Sequence, residues 1–206
     1  MIDNISIEVK QEATMTKIYF VRHAQPQHDW EEDKTRPLTG DGKEDSKIVL
    51  EFFKDKRIDR FYCSTYKRSI DTIADTAAYF GQEIITDERL REREKGGSVN
   101  NFEMFQKRWA DHNYCEGGGE SIAMVQHRNM EAIKEILSDN KNKNIVIGTH
   151  GTALSTILNY YDNSFGCDDF LRIIDWMPYV VELEFEDDEL VGKKEHCYVE
   201  KVFKRK

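Results

Sequence analysis

The strongest constraint on the fold is that short apolar segments alternate with longer amphipathic ones along this chain. The segments 18–21 and 144–149 are rich in β-branched and aromatic residues, as buried strands are. The segments between such runs repeat apolar residues at helical spacing. We predict strands at 18–21, 58–63, 84–85 and 144–149, helices at 40–56, 66–80, 102–109, 120–137 and 152–161, and a hairpin of 179–185 with 190–203.

Strands that alternate with helices indicate an α/β protein. The expected fold is a three-layer α/β/α sandwich with a mostly parallel central sheet, and the hairpin forms its antiparallel edge. The 206 residues fit one domain, which we place at 17–206. Residues 1–16 are polar and are expected to form a flexible extension, with a strand added to a sheet edge as the alternative.

The overall charge argues against two classes of partner. The chain has 30 Lys and Arg against 39 Asp and Glu, a net charge of −9. Proteins that bind nucleic acids or anionic membranes are basic instead. No apolar run approaches membrane-spanning length, and residues 1–16 do not resemble a signal peptide. The four cysteines lack paired spacing, so we expect reduced thiols and a cytoplasmic protein, either a monomer or a homodimer.

Residues suited to phosphoryl transfer follow the predicted strands. They are Arg22 and His23 after the first strand, Arg68 after the second, Glu92 after the third and His150 after the fourth. The carboxyl ends of parallel strands meet at one edge of a sheet, so these side chains are expected to converge. Arginine grips phosphate oxygens in bidentate fashion, an imidazole can attack phosphorus, and a carboxylic acid can protonate an alkoxide. The remaining histidines, which show no metal-ligand spacing, are His28, His112, His127 and His196. We therefore expect neither a metal nor a cofactor.

The order and spacing of these segments match a known family. The tripeptide 22–24 (Arg-His-Ala) resembles the Arg-His-Gly signature of the histidine phosphatase superfamily, also called the phosphoglycerate mutase-like family. Further matches are 37–42 (Pro-Leu-Thr-Gly-Asp-Gly), 59–64 with Arg68, 90–92 with Gly96, 118–121 and 146–151. The resemblance covers about residues 17–185 and implies the phosphoglycerate mutase-like fold.

The resemblance also implies roles for individual residues. His23 becomes the phosphorylated nucleophile, and Glu92 protonates the leaving group and then activates water. Arg22, Arg68 and His150 hold the phosphoryl oxygens and stabilise the transition state. His23 must attack while neutral and His150 is useful as a cation, so we expect their neighbours to separate their pKa values.

Three more residues are expected to contact phosphate or substrate because of their places in the matched segments: Asp29, Thr39 and Gly151. Asp29 lies near the position of a substrate-contacting Asn in many members, and an aspartate there disfavours a bisphosphate substrate. Glu94 is a rival for the role of the acid, but the spacing from Leu90 favours Glu92.

Three functions are compatible with the pattern. We favour a phosphatase that hydrolyses small phosphomonoesters, with a phosphorylated metabolite as its partner. A cofactor-dependent mutase of the same family is the second hypothesis, although mutases are usually longer in the lid region that corresponds to 102–114. A catalytically inactive phospholigand-binding protein is the third, and the presence of both histidines and the acid argues against it.

Overall fold

The computed structural model describes residues 15–97 and 100–201, and a six-stranded sheet runs through them. The strands are β1 (Met15–Arg22), β2 (Arg60–Ser64), β3 (Ile84–Asp87), β4 (Asn144–Thr149), β5 (Trp176–Glu186) and β6 (Glu189–Glu200). Their order across the sheet is β3-β2-β4-β1-β5-β6. The first four strands are parallel, whereas β5 and β6 are antiparallel to their neighbours. The predicted mixed α/β architecture is confirmed.

Helices cover both faces of the sheet. One face carries α1 (Gly40–Phe53) and α2 (Lys67–Tyr79), and the other carries α4 (Ile122–Asp139) and α5 (Gly151–Tyr161). The shorter helices α3 (Phe102–Ala110) and α6 (Cys167–Ile173) pack against each other beside α5.

The strand β1 shows why its sequence is a continuous apolar run. Ile18 and Phe20 belong to the core under α4 and α5, whereas Tyr19 and Val21 belong to the core under α1 and α2. Alternate side chains of a strand point to opposite faces, and both faces of β1 are covered. The strand therefore lies at the centre of the molecule, and the residue after it enters the middle of the sheet edge.

Three of the differences from the prediction affect the sheet edge and the helices beside it. β1 begins at Met15, so Met15 and Thr16 belong to the sheet rather than to the expected extension, and residues 1–14 lie outside the described part. The strand β5 begins at Trp176 rather than at the predicted residue 179. Proline seldom occurs inside a strand, so Pro178 concealed the first residues of β5 from a prediction based on sequence. The helix α6 was not predicted, because seven residues are too few to show a helical period.

Two further properties concern the whole chain. Within the described ranges, no helix is long and apolar enough to cross a membrane. All four cysteines are free thiols, as expected: Cys63, Cys115, Cys167 and Cys197. The cytoplasmic location and the choice between monomer and homodimer stay predictions.

Candidate active site

A cavity of about 870 Å³ lies at the carboxyl edge of the parallel strands. His23 directly follows β1, Arg68 lies in the first turn of α2 after β2, and Glu92 follows the short 3-10 turn at Glu88–Leu90 after β3. All three line the cavity, together with Arg22 and Gly151. The sheet therefore brings four of the five predicted residues to one cavity, whereas His150 is buried beside His23 and is not among the residues that line it.

His23 is held in the form that a nucleophile requires. Its Nδ1 lies 2.8 Å from the carbonyl oxygen of Ala24. A carbonyl can only accept, so Nδ1 carries the proton and Nε2 keeps its lone pair. Burial, followed by the charges of Arg68 and Arg22, lowers the pKa of His23 well below its usual value. The imidazole is therefore neutral at physiological pH.

His150 is fully buried beside His23, and their ring centroids are 5.3 Å apart. Its Nε2 lies 2.7 Å from the hydroxyl of Ser64, which itself accepts a hydrogen bond from the backbone N–H of Tyr66. The hydroxyl can donate to Nε2, and in that tautomer the proton of His150 is on Nδ1. Nδ1 has no hydrogen-bond partner among the described residues, so it is a buried donor without an acceptor.

The expected cationic state of His150 is wrong for the free protein. Burial, followed by the nearby charges of Arg68 and His23, lowers the pKa of His150 well below its usual value. The pKa values of the two histidines are therefore shifted in the same direction. His150 is therefore neutral in the free site.

Arg22 is fixed by backbone carbonyl groups at the end of α6 and at the start of β5. Its Nη1 donates to the carbonyl oxygens of Ile173 (2.6 Å) and Trp176 (3.2 Å). Burial lowers the pKa of Arg22 to about 10, so the guanidinium stays charged at neutral pH. Gly151 leaves room for it, because a Cβ at Gly151 would lie 3.2 Å from Arg22 Nη2.

Arg68 is occupied by a carboxylate of the protein. Its Nη1 lies 3.1 Å from Oδ1 of Asp33 and its Nη2 lies 3.3 Å from Oδ2, while Nη1 also donates to the backbone oxygen of Asp33 at 2.7 Å. Arg36 Nη1 contacts the same carboxylate at 2.8 Å. Asp33 lines the cavity, and sequence reasoning missed it, because its loop conformation leaves no periodic signal.

Glu92 is held at the N-terminus of α5. Its Oε1 accepts from the backbone N–H groups of Arg93 (2.7 Å) and Ala153 (3.2 Å), and its Oε2 accepts from that of Thr152 (3.1 Å). The rival Glu94 also lines the cavity, but its side chain is 54% exposed. The fixed position of Glu92 beside the arginines favours it as the acid.

Two expected substrate contacts lie elsewhere. Thr39 caps α1, since its Oγ1 accepts from the backbone N–H of Gly42 at 2.9 Å. Asp29 is exposed and is not one of the residues that line the cavity. In the described part of the chain, no group of three or more His, Cys, Asp or Glu residues is placed to hold a metal ion.

The comparisons with known proteins agree with this geometry. The sequence model of the histidine phosphatase superfamily (branch 1) matches residues 18–191. A metal-independent phosphoserine phosphatase from Arabidopsis thaliana is 30% identical over 175 residues, which are 74% of this chain and 71% of that protein. Phosphoserine phosphatase 1 from Hydrogenobacter thermophilus is 27% identical over 175 residues, which are 75% and 83% of the two chains.

A solved structure shows the same fold. It is a variant of phosphoserine phosphatase from Entamoeba histolytica in complex with phosphoserine. It is 18% identical and gives a TM-score of 0.72 over 89% of this chain and 96% of that chain. Because the family's sequence model covers most of the chain, this protein belongs to the histidine phosphatase superfamily.

Proposed function

We propose that this protein is a phosphatase that hydrolyses small phosphomonoesters through a phosphohistidine on His23. The observation that carries the proposal is the state of His23, a neutral imidazole whose Nε2 makes no hydrogen bond to any described residue. His23 is buried among Arg22, Arg68 and His150, and Glu92 lines the same cavity. Relatives that are named as phosphoserine phosphatases make phosphoserine the first substrate to test.

In the first step, His23 Nε2 attacks the phosphorus atom and the bond from phosphorus to the ester oxygen breaks. Glu92, in its protonated form, gives its proton to the departing oxygen, so that an alcohol leaves rather than an alkoxide. Arg22, Arg68 and the Nδ1–H group of His150 donate to the phosphoryl oxygens while charge accumulates on them. The products are the alcohol and phosphohistidine, with Glu92 as a carboxylate.

In the second step, the Glu92 carboxylate takes a proton from water and the oxygen of that water attacks phosphorus. The bond between phosphorus and Nε2 breaks, and inorganic phosphate leaves. His23 is again neutral with its proton on Nδ1, and Glu92 is again protonated. The hydrogen bond from Nδ1 to the Ala24 carbonyl oxygen keeps the ring oriented through both steps.

The mutase hypothesis requires the phosphohistidine to be shielded from water. The segment expected to act as a lid contains only the nine-residue helix α3, and the cavity beneath it is large. These features favour hydrolysis over transfer to a second sugar or acid.

The first experiment is hydrolysis of 4-nitrophenyl phosphate and phosphoserine, each with and without excess chelator. We expect turnover that survives the chelator, and a trapped phosphoenzyme that acid destroys and base preserves. The control is His23→Ala, which should abolish turnover and phosphoenzyme formation while the circular dichroism spectrum is unchanged. Near wild-type turnover by this variant would remove the proposal.

A second experiment tests the acid. Glu92→Gln cannot donate a proton, so we expect hydrolysis of phosphoserine to fall by about 10²-fold or more. Hydrolysis of 4-nitrophenyl phosphate should fall much less, because its leaving group departs without a proton. Glu94→Gln is the matched control. Because Glu92 also activates water in the second step, which both substrates share, the losses are compared in kcat/KM, which reports the first step. Equal losses of kcat/KM on the two substrates with Glu92→Gln would show that Glu92 is not the acid.

A further inference from the structure

The segment that bears Glu92 is fastened to α4 by one arginine. Arg128 Nη1 donates to the backbone oxygens of Arg89 (2.6 Å) and Arg91 (2.7 Å), and Arg128 Nη2 donates to that of Glu92 (3.1 Å). A single guanidinium thus binds three carbonyl groups of a four-residue segment. Only the planar, five-donor head of arginine can make this pattern.

Glu120 holds Arg128 in that position. Its carboxylate accepts from Nε and Nη2 of Arg128, both at 2.9 Å, and from Nη1 and Nη2 of Arg91 at 2.6 and 3.0 Å. It also accepts from the backbone N–H of Glu94 at 3.0 Å. Its pKa is about 2: burial acts to raise it, but the hydrogen bonds from Arg128 and Arg91 outweigh that effect. The carboxylate is therefore ionised throughout the working range of pH.

These groups lie behind the reacting atoms. Neither Glu120 nor Arg128 lines the cavity, and their polar atoms are engaged with each other, with Arg91 and with the backbone of 89–94. Their hydrogen bonds to backbone groups span 89–94, the stretch with Glu92 at its middle. A carboxyl group must lie within hydrogen-bond reach of the leaving oxygen, and a displacement of about 1 Å can cost about 10²-fold in rate.

We infer that Glu120 and Arg128 are positioning residues that hold the carboxyl of Glu92 at the leaving-group oxygen. The inference rests on the proposed role of Glu92 as the acid. The helix α4 and the residues just before it thus affect the reaction by fixing the backbone of the segment that bears Glu92. The nucleophile His23 and the arginines Arg22 and Arg68 are outside this network.

The test compares two substrates in the variant Arg128→Lys. Lysine keeps the charge, and therefore the electrostatic environment of His150, but it cannot bridge three carbonyl groups and a carboxylate. Hydrolysis of the phosphohistidine is common to both substrates, so the comparison uses kcat/KM, which reports phosphoryl transfer to His23. We expect kcat/KM for phosphoserine to fall by about tenfold or more, while kcat/KM for 4-nitrophenyl phosphate changes less than about threefold. Glu120→Gln should give the same selective loss.

Arg89→Lys is the matched control on the same segment. The side chain of Arg89 pairs with Asp87 and Glu135 on the outer surface, so this change should leave the ratio of the two rates unaltered. In a Glu92→Gln background, Arg128→Lys should cause no further selective loss, because the group that it positions is already inactive.

The outcomes separate the two claims. If Glu92→Gln itself slows both substrates equally, the acid role fails and the positioning inference fails with it. Suppose instead that Glu92→Gln slows phosphoserine more than 4-nitrophenyl phosphate. The positioning inference alone is then overturned if Arg128→Lys slows both substrates equally. It is also overturned if Arg128→Lys causes its whole loss on phosphoserine in the Glu92→Gln background. If Glu120→Gln does not fold, the charge-conserving Arg128→Lys decides.

Discussion

At the scale of single residues, Arg68 is already bound to an anion of the protein itself. Its two Nη atoms contact the two carboxylate oxygens of Asp33, in the bidentate manner in which arginine also binds phosphate. A phosphoryl group that uses the same donors must displace this carboxylate. Phosphate binding then exchanges the Asp33 carboxylate for the phosphoryl group at Arg68. The affinity for phosphate therefore reflects the difference in binding free energy between these two anions.

We therefore expect Asp33→Asn to bind inorganic phosphate more tightly than the wild type, by about threefold to tenfold, because a neutral amide competes less well for Arg68. Isothermal titration calorimetry with phosphate measures this change. Asp41→Asn removes the same charge at an exposed site in the first turn of α1 and should leave the affinity unaltered. Weaker binding by Asp33→Asn would mean that Asp33 orients Arg68 instead of competing for it.

Sequence reasoning and structure differ at this scale for a physical reason. The identities of His23, Arg22 and His150 follow from residue type and from position after a strand. The protonation states depend on partners that no spacing reveals: the carbonyl of Ala24 for one histidine, and burial beside Arg68 for the other.

At the scale of secondary structure, the start of α1 explains a motif that resembles a substrate contact. Thr39 Oγ1 accepts from the N–H of Gly42, and a Cβ at Gly42 would lie 2.3 Å from the carbonyl oxygen of Gln25. The threonine and the glycine thus dock the first turn of α1 onto the backbone that follows His23. Their role is to join the helix to the active-site segment.

Thr39→Ala should lower the free energy of unfolding by about 1 kcal/mol, because it removes an N-cap. The KM for phosphoserine should not change, since Thr39 does not line the cavity. Urea denaturation and steady-state kinetics measure the two quantities, and Thr39→Ser should restore the stability. A raised KM with unaltered stability would show that Thr39 contacts the substrate.

The long elements could be predicted from sequence, whereas the short ones could not. β1 and β4 are apolar on both faces, and α4 shows five helical turns of periodic burial, so each leaves a strong pattern. The helix α6 and the loop that bears Asp33 are ordered by tertiary contacts rather than by local propensity. The strand order was not part of the prediction, because strand pairing is a long-range property.

At the scale of the whole molecule, two neutral buried histidines make the fold sensitive to acid. In the unfolded chain His23 and His150 take up protons near the usual pKa of 6.5, whereas in the folded protein both pKa values lie well below it. The unfolded state therefore binds more protons as the pH falls below 6.5, and stability decreases. The contribution of Glu120 is lost only at lower pH, between its usual value of 4.5 and about 2.

We expect the free energy of unfolding to fall by about 1.4 kcal/mol per pH unit for each of the two histidines below about pH 6.5. Urea denaturation at several pH values between about 7 and 5 measures the slope. His23→Asn should reduce the slope, since the proton linked to His23 is removed, while the lowered pKa values of His150 and His28 maintain the rest of it. An unaltered slope in that variant would show that His23 titrates normally in the folded protein.

The spacing between the two imidazoles has its origin in the sheet. β1 and β4 are adjacent, Arg22 is in register with Thr149, and the N–H of His23 donates to the carbonyl oxygen of Thr149 at 3.1 Å. Neighbouring strands lie about 4.8 Å apart, and the two rings that follow them are 5.3 Å apart. The spacing of the two backbone strands thus sets the distance between the two imidazoles. A change in the loops or outer helices would therefore reshape the cavity without changing the distance between the two imidazoles.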